Sequence, residues 1–169
     1  MRDAAVLPAL RAIGRARHLT DRASSRPELL AAQLAPGMFD AGTQLGMVPV
    51  FALRATFPLI GQDWPRDVEP LLFGDGPPDL HAAFDLAERQ IRALDPTAFD
   101  GAAERRVRHR AGHADLDQTG AEYLTLFALP NLWFHLSMAY AILRAGGLDI
   151  GKADFDGLHV WPADVTLVD

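Results

Sequence analysis

The amino-acid sequence predicts an all-α protein, a four-helix bundle with a small hairpin or loop insertion before the last long helix. Four long segments carry apolar residues at the spacing of an amphipathic helix, and breaks rich in proline and glycine separate them. A chain of 169 residues is large enough to bury one core, so residues 1–169 are expected to form a single domain. The four predicted helices span residues 3–23, 38–60, 79–94 and 119–144.

The first two predicted helices each contain a proline. In residues 3–23, apolar side chains alternate with arginines at helical spacing, and Pro8 is close enough to the start to be tolerated. Residues 38–60 have a broad apolar face. Pro49 cannot donate its backbone hydrogen bond, which predicts a kink near residues 45–49.

Side chains that cap helices mark the starts of the last two predicted helices. Asp79 stands where the third helix begins, and an aspartate there can accept from the first free backbone N–H groups. Thr119 stands at the start of the fourth, and Glu122 follows three residues later. This spacing is that of a capping box.

Two regions fall outside the predicted helices. Residues 98–117 contain two short polar runs around Gly112, which predict a small, exposed β-hairpin. Residues 148–169 form a tail, in which Val160 and Trp161 are expected to pack against the rest of the protein.

Composition limits the class of protein. The net charge of −6 argues against a nucleic-acid groove, which needs a basic face. The absence of cysteine excludes disulfides, thiolate metal sites and cysteine nucleophiles. The N-terminus lacks a signal-peptide core, and no run approaches the roughly 18 uninterrupted apolar residues of a membrane span. We therefore expect a cytoplasmic protein that does not enter a membrane.

One basic cluster stands out against this acidic background. It has two interpretations: a solvated turn, or a contact for an anionic ligand or partner. Its members are Arg105, Arg106, Arg108, His109 and Arg110.

The most apolar stretch of the chain, residues 122–144, contains polar residues in its middle. Asn131 and His135 are four apart, so they share one face of a helix. A polar pair inside an apolar helix must be satisfied or it destabilises the fold. His135 therefore has two interpretations. It is a core histidine, bonded to a neighbouring side chain or to a carbonyl freed by Pro130. Alternatively, it is a metal ligand or an acid/base group that faces a cavity.

The other histidines give weaker signals. His109 and His113 are also four apart, but Gly112 intervenes in a polar stretch, so an exposed loop is the simpler interpretation than a metal pair. His18, His81 and His159 are expected near helix ends or in the tail. No serine–histidine–aspartate order, phosphate-binding glycine loop or zinc-protease spacing is present, so catalytic and cofactor-binding residues are not assigned.

Several motifs together resemble the uncharacterised bacterial family DUF1993. The order and spacing of these motifs cover most of the chain. They are Leu34-Ala-Pro-Gly-Met38-Phe39, then Gln44, then Ala128-Leu-Pro-Asn131 followed by Phe134-His135, and finally Gly151-Lys-Ala-Asp154-Phe155.

This resemblance implies membership of the DinB/YfiT-like helical bundles, with up-down-down-up topology and often a dimer. The wider superfamily often binds a divalent metal through one histidine on helix two and two on the last helix. In this chain His135 would occupy one last-helix position, while Asn131 stands four before it and Ala139 four after. Helix two has no histidine, and Gln44 is its nearest polar candidate.

Amide oxygens are weak ligands for borderline metals, so no metal site and no cofactor are predicted. If a metal such as Zn or Ni were bound, His135 would hold it with Asn131 and Gln44. The leading hypothesis is a metal-free, homodimeric bundle with a binding or structural role, in which these three residues form a buried polar cluster between helices two and four. The alternatives are a metal- or thiol-dependent transferase or hydrolase using a site around His135, and an interaction protein that acts through its surface.

Overall fold

The structure is a computed structural model that describes residues 1–160, most of which are helical. The expected packing of Trp161 lies outside the described residues, and the expected packing of Val160 is wrong, because Val160 is 91% exposed. In chain order the first elements are α1 (Arg2–Ala23), α2 (Ala41–Thr56), α3 (Glu69–Phe73) and α4 (Leu80–Arg92). Short 3-10 turns occupy Pro27–Ala31, Phe57–Ile60 and Pro96–Phe99.

The second half of the chain starts with a β-hairpin and continues into the last long helix. The hairpin consists of β1 (Arg106–Ala111) and β2 (Ala114–Thr119). The helical run that follows has three parts, α5 (Gly120–Glu122), a π-helical segment (Tyr123–Ala128) and α6 (Leu129–Ala145). The short helix α7 (Lys152–Asp156) comes last. The helical class is confirmed, but a count of four helices omits α3 and α7.

The predicted helix starts are confirmed where a capping side chain is present. The Ala82 amide donates to Asp79 at 3.0 Å, and Thr119 and Glu122 form the expected capping box. Helix α2 begins later than residue 38, because Asp40 is its N-cap and accepts from the Thr43 amide at 2.7 Å. The side chain, rather than the first apolar residue, therefore fixes where this helix begins.

The sequence predicted one uniform helix over residues 119–144, but the structure divides this run into α5, the π-helical segment and α6. Within it, the Leu129 amide donates to the Leu124 carbonyl, which is the wider spacing of a π-helix. Pro130 follows directly and has no N–H to donate to the preceding turn. The ladder is thus interrupted just before Pro130, and the π-helical segment accommodates the interruption.

Helices α1 and α2 lie at the centre of the bundle. Each contacts the other, and each also packs against α4 and α6. Alanines on α1 and a broad apolar face on α2 allow these close approaches. Four polar residues are buried in the described part of the chain: Thr20, Gln44, Thr56 and His135. The two threonines donate to carbonyls of their own helices, so only Gln44 and His135 need a partner elsewhere.

The hairpin is confirmed, but one of its faces is covered. Ala111 pairs with Ala114 across a two-residue turn that starts at Gly112, whose φ of +60° suits glycine. Val107 is buried in the core. Arg105 donates to the Leu59 carbonyl and, at 3.1 Å, to that of Asp100. The hairpin is thereby fixed over the C-terminal end of α2.

Two helical stretches are long and apolar enough to cross a membrane by length and composition. They are Ala41–Ile60, with mean hydropathy 1.2, and Gly120–Ala145, with mean hydropathy 1.4. The most apolar window of the first is 72% buried inside the protein, as a core helix requires, whereas that of the second is 39% buried. The core helices of water-soluble proteins meet the same criterion, so this evidence for a membrane span is weak.

Candidate functional site

The structure brings His135 of α6 and Gln44 of α2 together in the core. His135 Nδ1 lies 2.7 Å from Gln44 Oε1. An amide oxygen only accepts, so Nδ1 donates and Nε2 keeps the lone pair. His135 is only 7% exposed. The predicted contact between these two residues is therefore present, and it satisfies both groups.

The surroundings of His135 favour its neutral form. Its ring stacks on that of Phe51, with centroids 5.2 Å apart, and meets Phe134 edge-on at 5.3 Å. Burial among these apolar rings lowers the pKa of His135 from 6.5 to about 4. The imidazole is thus neutral at physiological pH and behaves as a core side chain.

Asn131, the third residue expected in this cluster, bonds elsewhere. Its Nδ2 donates to the Phe127 carbonyl at 2.7 Å. This carbonyl belongs to the π-helical segment, one turn before Asn131, where Pro130 interrupts the ladder. The expectation of a three-residue cluster is wrong in this respect: Asn131 serves the backbone of its own helix, and the buried pair consists of Gln44 and His135.

These residues do not fit a zinc or nickel ion. The donor set is one imidazole and two amides; His135 Nδ1 is bonded to Gln44, and the Asn131 amide is bonded to a carbonyl. Zinc sites in proteins use three or four histidine, cysteine or carboxylate ligands. Within residues 1–160, no group of three or more such side chains is arranged to hold a metal ion.

His18 and His81, outside the core, have acidic partners. His18 lies 2.7 Å from Asp154 and joins α1 to α7, and His81 lies 3.3 Å from Asp21. Asp154 is also near Arg22, and its pKa is lowered, because the bonds from His18 and the Gly151 amide outweigh partial burial. These contacts fasten helices to one another.

The sequence suggested that His109 lies in an exposed loop, but the structure places it in strand β1. Its ring faces the bundle from β1, with centroids 4.3 Å from Phe127 and 4.8 Å from Tyr123. Nε2 bonds Gln118 at 2.8 Å, while Nδ1 is buried without a hydrogen-bond partner. Strand alternation places residues 107 and 109 on one face, a signal that the polar sequence around them concealed.

The basic cluster of the hairpin is largely neutralised across the strands. Arg106 and Arg108 approach the two carboxylate oxygens of Asp117 at 2.9 and 3.3 Å, and Arg110 lies 3.8 Å from Asp115. The hydrogen bond from Arg106, above all, lowers the pKa of Asp117. The interpretation of these arginines as a solvated surface agrees with their exposure.

A cleft of about 540 Å³ opens between α2, the segment that follows it, and β1. Its size lies in the range of small-molecule sites, roughly 300–1,000 Å³. Its polar lining includes five arginines against two acidic residues: Arg54, Arg66, Arg106, Arg108 and Arg110, with Asp63 and Glu69. Its apolar lining includes Met47, Val50, Pro58, Trp64 and Phe73.

Arg54 is the one of these arginines that makes no ion pair within residues 1–160. Its guanidinium carbon lies 4.9 Å from the Phe51 ring centroid and 4.8 Å from that of Phe127. Its guanidinium makes a long hydrogen bond, 3.4 Å to the Arg110 carbonyl, and also interacts with the Tyr123 hydroxyl. Arg54 is not among the predicted site residues, because one arginine at the end of an apolar helix has no distinctive spacing.

The π-helical segment lies next to Arg54. Tyr123 and Phe127 both come from it, and the Tyr123 hydroxyl donates to the Arg54 carbonyl at 2.8 Å. Burial raises the pKa of Tyr123 to about 12, so its hydroxyl stays protonated. π-helical turns are frequent at functional sites, and this one adjoins the cleft.

The described residues form a helical bundle with a β-hairpin before its last long helical run, and the buried Gln44–His135 pair does not supply the donors of a histidine metal site. Residues 7–156 match the family described as Domain of unknown function (DUF1993), and the chain belongs to that family. The crystal structure of a DinB family member protein from Shewanella denitrificans superposes with a TM-score of 0.79 and 23% sequence identity, over 96% of this chain and 94% of that one. At this identity the likeness shows the fold alone. No curated protein matches the sequence.

Proposed function

We propose that this protein is a metal-free binding protein of the DUF1993 family, and that its ligand site is the cleft beside the hairpin. One observation carries this proposal: a cleft of about 540 Å³ combines an apolar wall with polar groups. A concave cleft of this size that brings apolar and polar side chains together is a candidate ligand site, although its lining is more polar than that of most such sites. The buried pair is closed off by comparison, because Gln44 and His135 satisfy each other in the core.

A ligand screen with a blocked cleft tests the proposal. Met47 lines the cleft from α2, and Met47→Trp would fill part of its volume. Arg89→Trp, an exposed position on α4, is the matched control. We expect small molecules found by ligand-observed NMR to bind the wild type and Arg89→Trp, and to lose binding to Met47→Trp. Equal binding to all three proteins, or the absence of any binder, would contradict the proposal.

The metal-free part of the proposal rests on the donor set. A single histidine with two amides is a poor site for zinc, nickel or iron. We expect protein purified without a nickel column or chelator to carry well under one equivalent of these metals by elemental analysis. Stoichiometric metal that is lost in His135→Ala would overturn this. It would favour the alternative function, a metal- or thiol-dependent transferase or hydrolase built around His135.

We further propose that this protein is bacterial and cytoplasmic, that it forms a homodimer, and that it binds neither nucleic acid nor a membrane. The four long helical runs are assigned the up-down-down-up arrangement of the DinB/YfiT-like bundles, which agrees with the central position of α1 and α2. Apolar side chains exposed on the last helical run support the dimer. The net charge of −6 supports the absence of a nucleic-acid partner.

A further inference from the structure

We infer that the ligand of the cleft is an organic monoanion, a small carboxylate with a flat apolar body, and that Arg54 pairs with its carboxylate. This inference rests on the proposed function and specifies its ligand. It depends on the charges that remain unpaired along the cleft and on the side chains that form its walls.

Arg54 supplies a cation that lacks a counter-charge. It is half-buried, its guanidinium lies against two phenyl rings, and within residues 1–160 no carboxylate pairs with it. A partly desolvated guanidinium with few hydrogen bonds is costly, and a carboxylate satisfies it through two parallel N–H···O bonds. A guanidinium that packs against aromatic rings still has N–H groups in its own plane, and these can donate to a carboxylate.

The remaining charges along the cleft favour one negative charge rather than several. Arg66 lies 3.2 Å from Glu69, and the hairpin arginines pair with Asp115 and Asp117. Asp63 is exposed at the cleft and makes no ion pair within the described residues. Asp63, Glu69, Asp115 and Asp117 together offset four of the five arginines, so the cleft keeps about one net positive charge, which suits one carboxylate better than a polyanion such as a nucleotide.

The walls favour a flat apolar body attached to that carboxylate. Trp64 is half-buried at the cleft, and Arg66 lies over its ring at 4.6 Å, which holds the indole in place. Met47, Val50, Pro58 and Phe73 complete the apolar lining. Burial of an aromatic ring against such side chains contributes binding energy, whereas the guanidinium provides the preference for charge.

The test uses matched pairs of probes that differ only in charge. The probes are benzoate, phenylacetate, 2-naphthoate and indole-3-acetate, each with its neutral primary amide, titrated by calorimetry. We expect at least one acid to bind the wild type about tenfold more tightly than its amide. Raising the salt concentration from about 50 mM to about 500 mM should weaken the acid and leave the amide unchanged.

Variants of Arg54 assign the preference to its side chain. Arg54→Gln should bring the acid and its amide to equal affinity, whereas Arg54→Lys should retain a preference for the acid. Arg92→Gln removes one positive charge on α4, where Arg92 pairs with Glu88, and should change neither affinity. Thermal melts confirm that each variant is folded, and the salt titration of the wild type tests the same inference without any substitution.

The outcomes separate this inference from the proposed function. If acids and amides bind equally and both are lost in Met47→Trp, the cleft is a ligand site but the anion inference is wrong. If acids bind preferentially and Arg54→Gln keeps that preference, the assignment to Arg54 is overturned. If none of the acids binds, the inference fails, and the ligand screen above decides the proposed function independently.

Discussion

At the scale of single residues, the His135–Gln44 pair shows how a histidine can be retained in a helical core. The imidazole has one donor and one acceptor when neutral, and Gln44 takes the donor at 2.7 Å. Stacking on Phe51 covers one face of the ring. Removal of either partner would leave a polar group in the core without its hydrogen bond.

His135→Ala is expected to reduce the free energy of unfolding by roughly 1–3 kcal/mol, because it leaves Gln44 unsatisfied and opens a small cavity. Denaturant unfolding at neutral pH measures this. His81→Ala, at an exposed position, is the control and should change stability by less than about 0.5 kcal/mol. A His135→Ala protein as stable as the wild type would show that the pair has no structural role.

The pH dependence of stability gives a second test of His135. Its pKa is about 4 in the folded protein, below the ordinary value of 6.5. Between these values the unfolded chain binds a proton that the folded chain does not, so stability from this residue is complete above pH 6.5 and falls as pH decreases toward 4. The largest slope is about 1.4 kcal/mol per pH unit.

The measurement for this prediction is a series of denaturant melts across that range for the wild type and His135→Gln. Carboxylates titrate in the same range in both proteins, so the difference between the two curves isolates the imidazole. Parallel curves would mean that His135 titrates normally in the folded protein.

At the scale of elements, glycines determine where the chain can make close contacts. Gly120 begins the last helical run, and a Cβ at this position would collide with the Ala102 carbonyl. Gly14 has the opposite environment, since it lies in α1 with nothing within 4 Å of the position of a Cβ.

Two alanine substitutions therefore have opposite expected effects. Gly120→Ala forces a backbone shift and should destabilise the protein by roughly 1–3 kcal/mol. Gly14→Ala should stabilise it by about 0.5–1 kcal/mol, because alanine loses less conformational freedom in a helix. Thermal melts of the two variants provide the comparison. Equal effects would show that the approach of residue 120 to Ala102 is not maintained in solution.

At the scale of the whole molecule, the apolar surface is distributed unevenly. Residues 50–60 are mostly buried, because α2 is surrounded by other helices. The last helical run differs, since Leu126 is 69% and Phe134 is 51% exposed. A second copy of the chain is the proposed cover for this surface.

Light scattering at micromolar concentration is expected to give the mass of a dimer. Phe134→Glu should produce a monomer, because it places a charge in the interface. Leu7→Glu is the control: Leu7 is 59% exposed on α1 and should leave the mass unchanged. A monomeric wild type would contradict the proposed homodimer.

Local sequence determined much of the architecture of this protein. Apolar spacing located the helical segments, and capping residues such as Asp79 and Thr119 placed two helix starts correctly. These features depend on periodicity and on hydrogen bonds over a few residues, which one chain displays directly. The pairing of Gln44 with His135 was expected only from the family resemblance, which places a polar residue of helix two opposite the last helix.

Tertiary structure alone decided the arrangement around the cleft. Arg54, His109 and Trp64 come from three separate segments, and no spacing in the sequence predicts that they line one space. Asn131 satisfies the Phe127 carbonyl beside the π-helical segment rather than joining His135, a choice set by the interrupted ladder at Pro130. The contacts around the cleft arise only when distant segments pack, because burial and unpaired charge are properties of the folded chain and not of its local pattern.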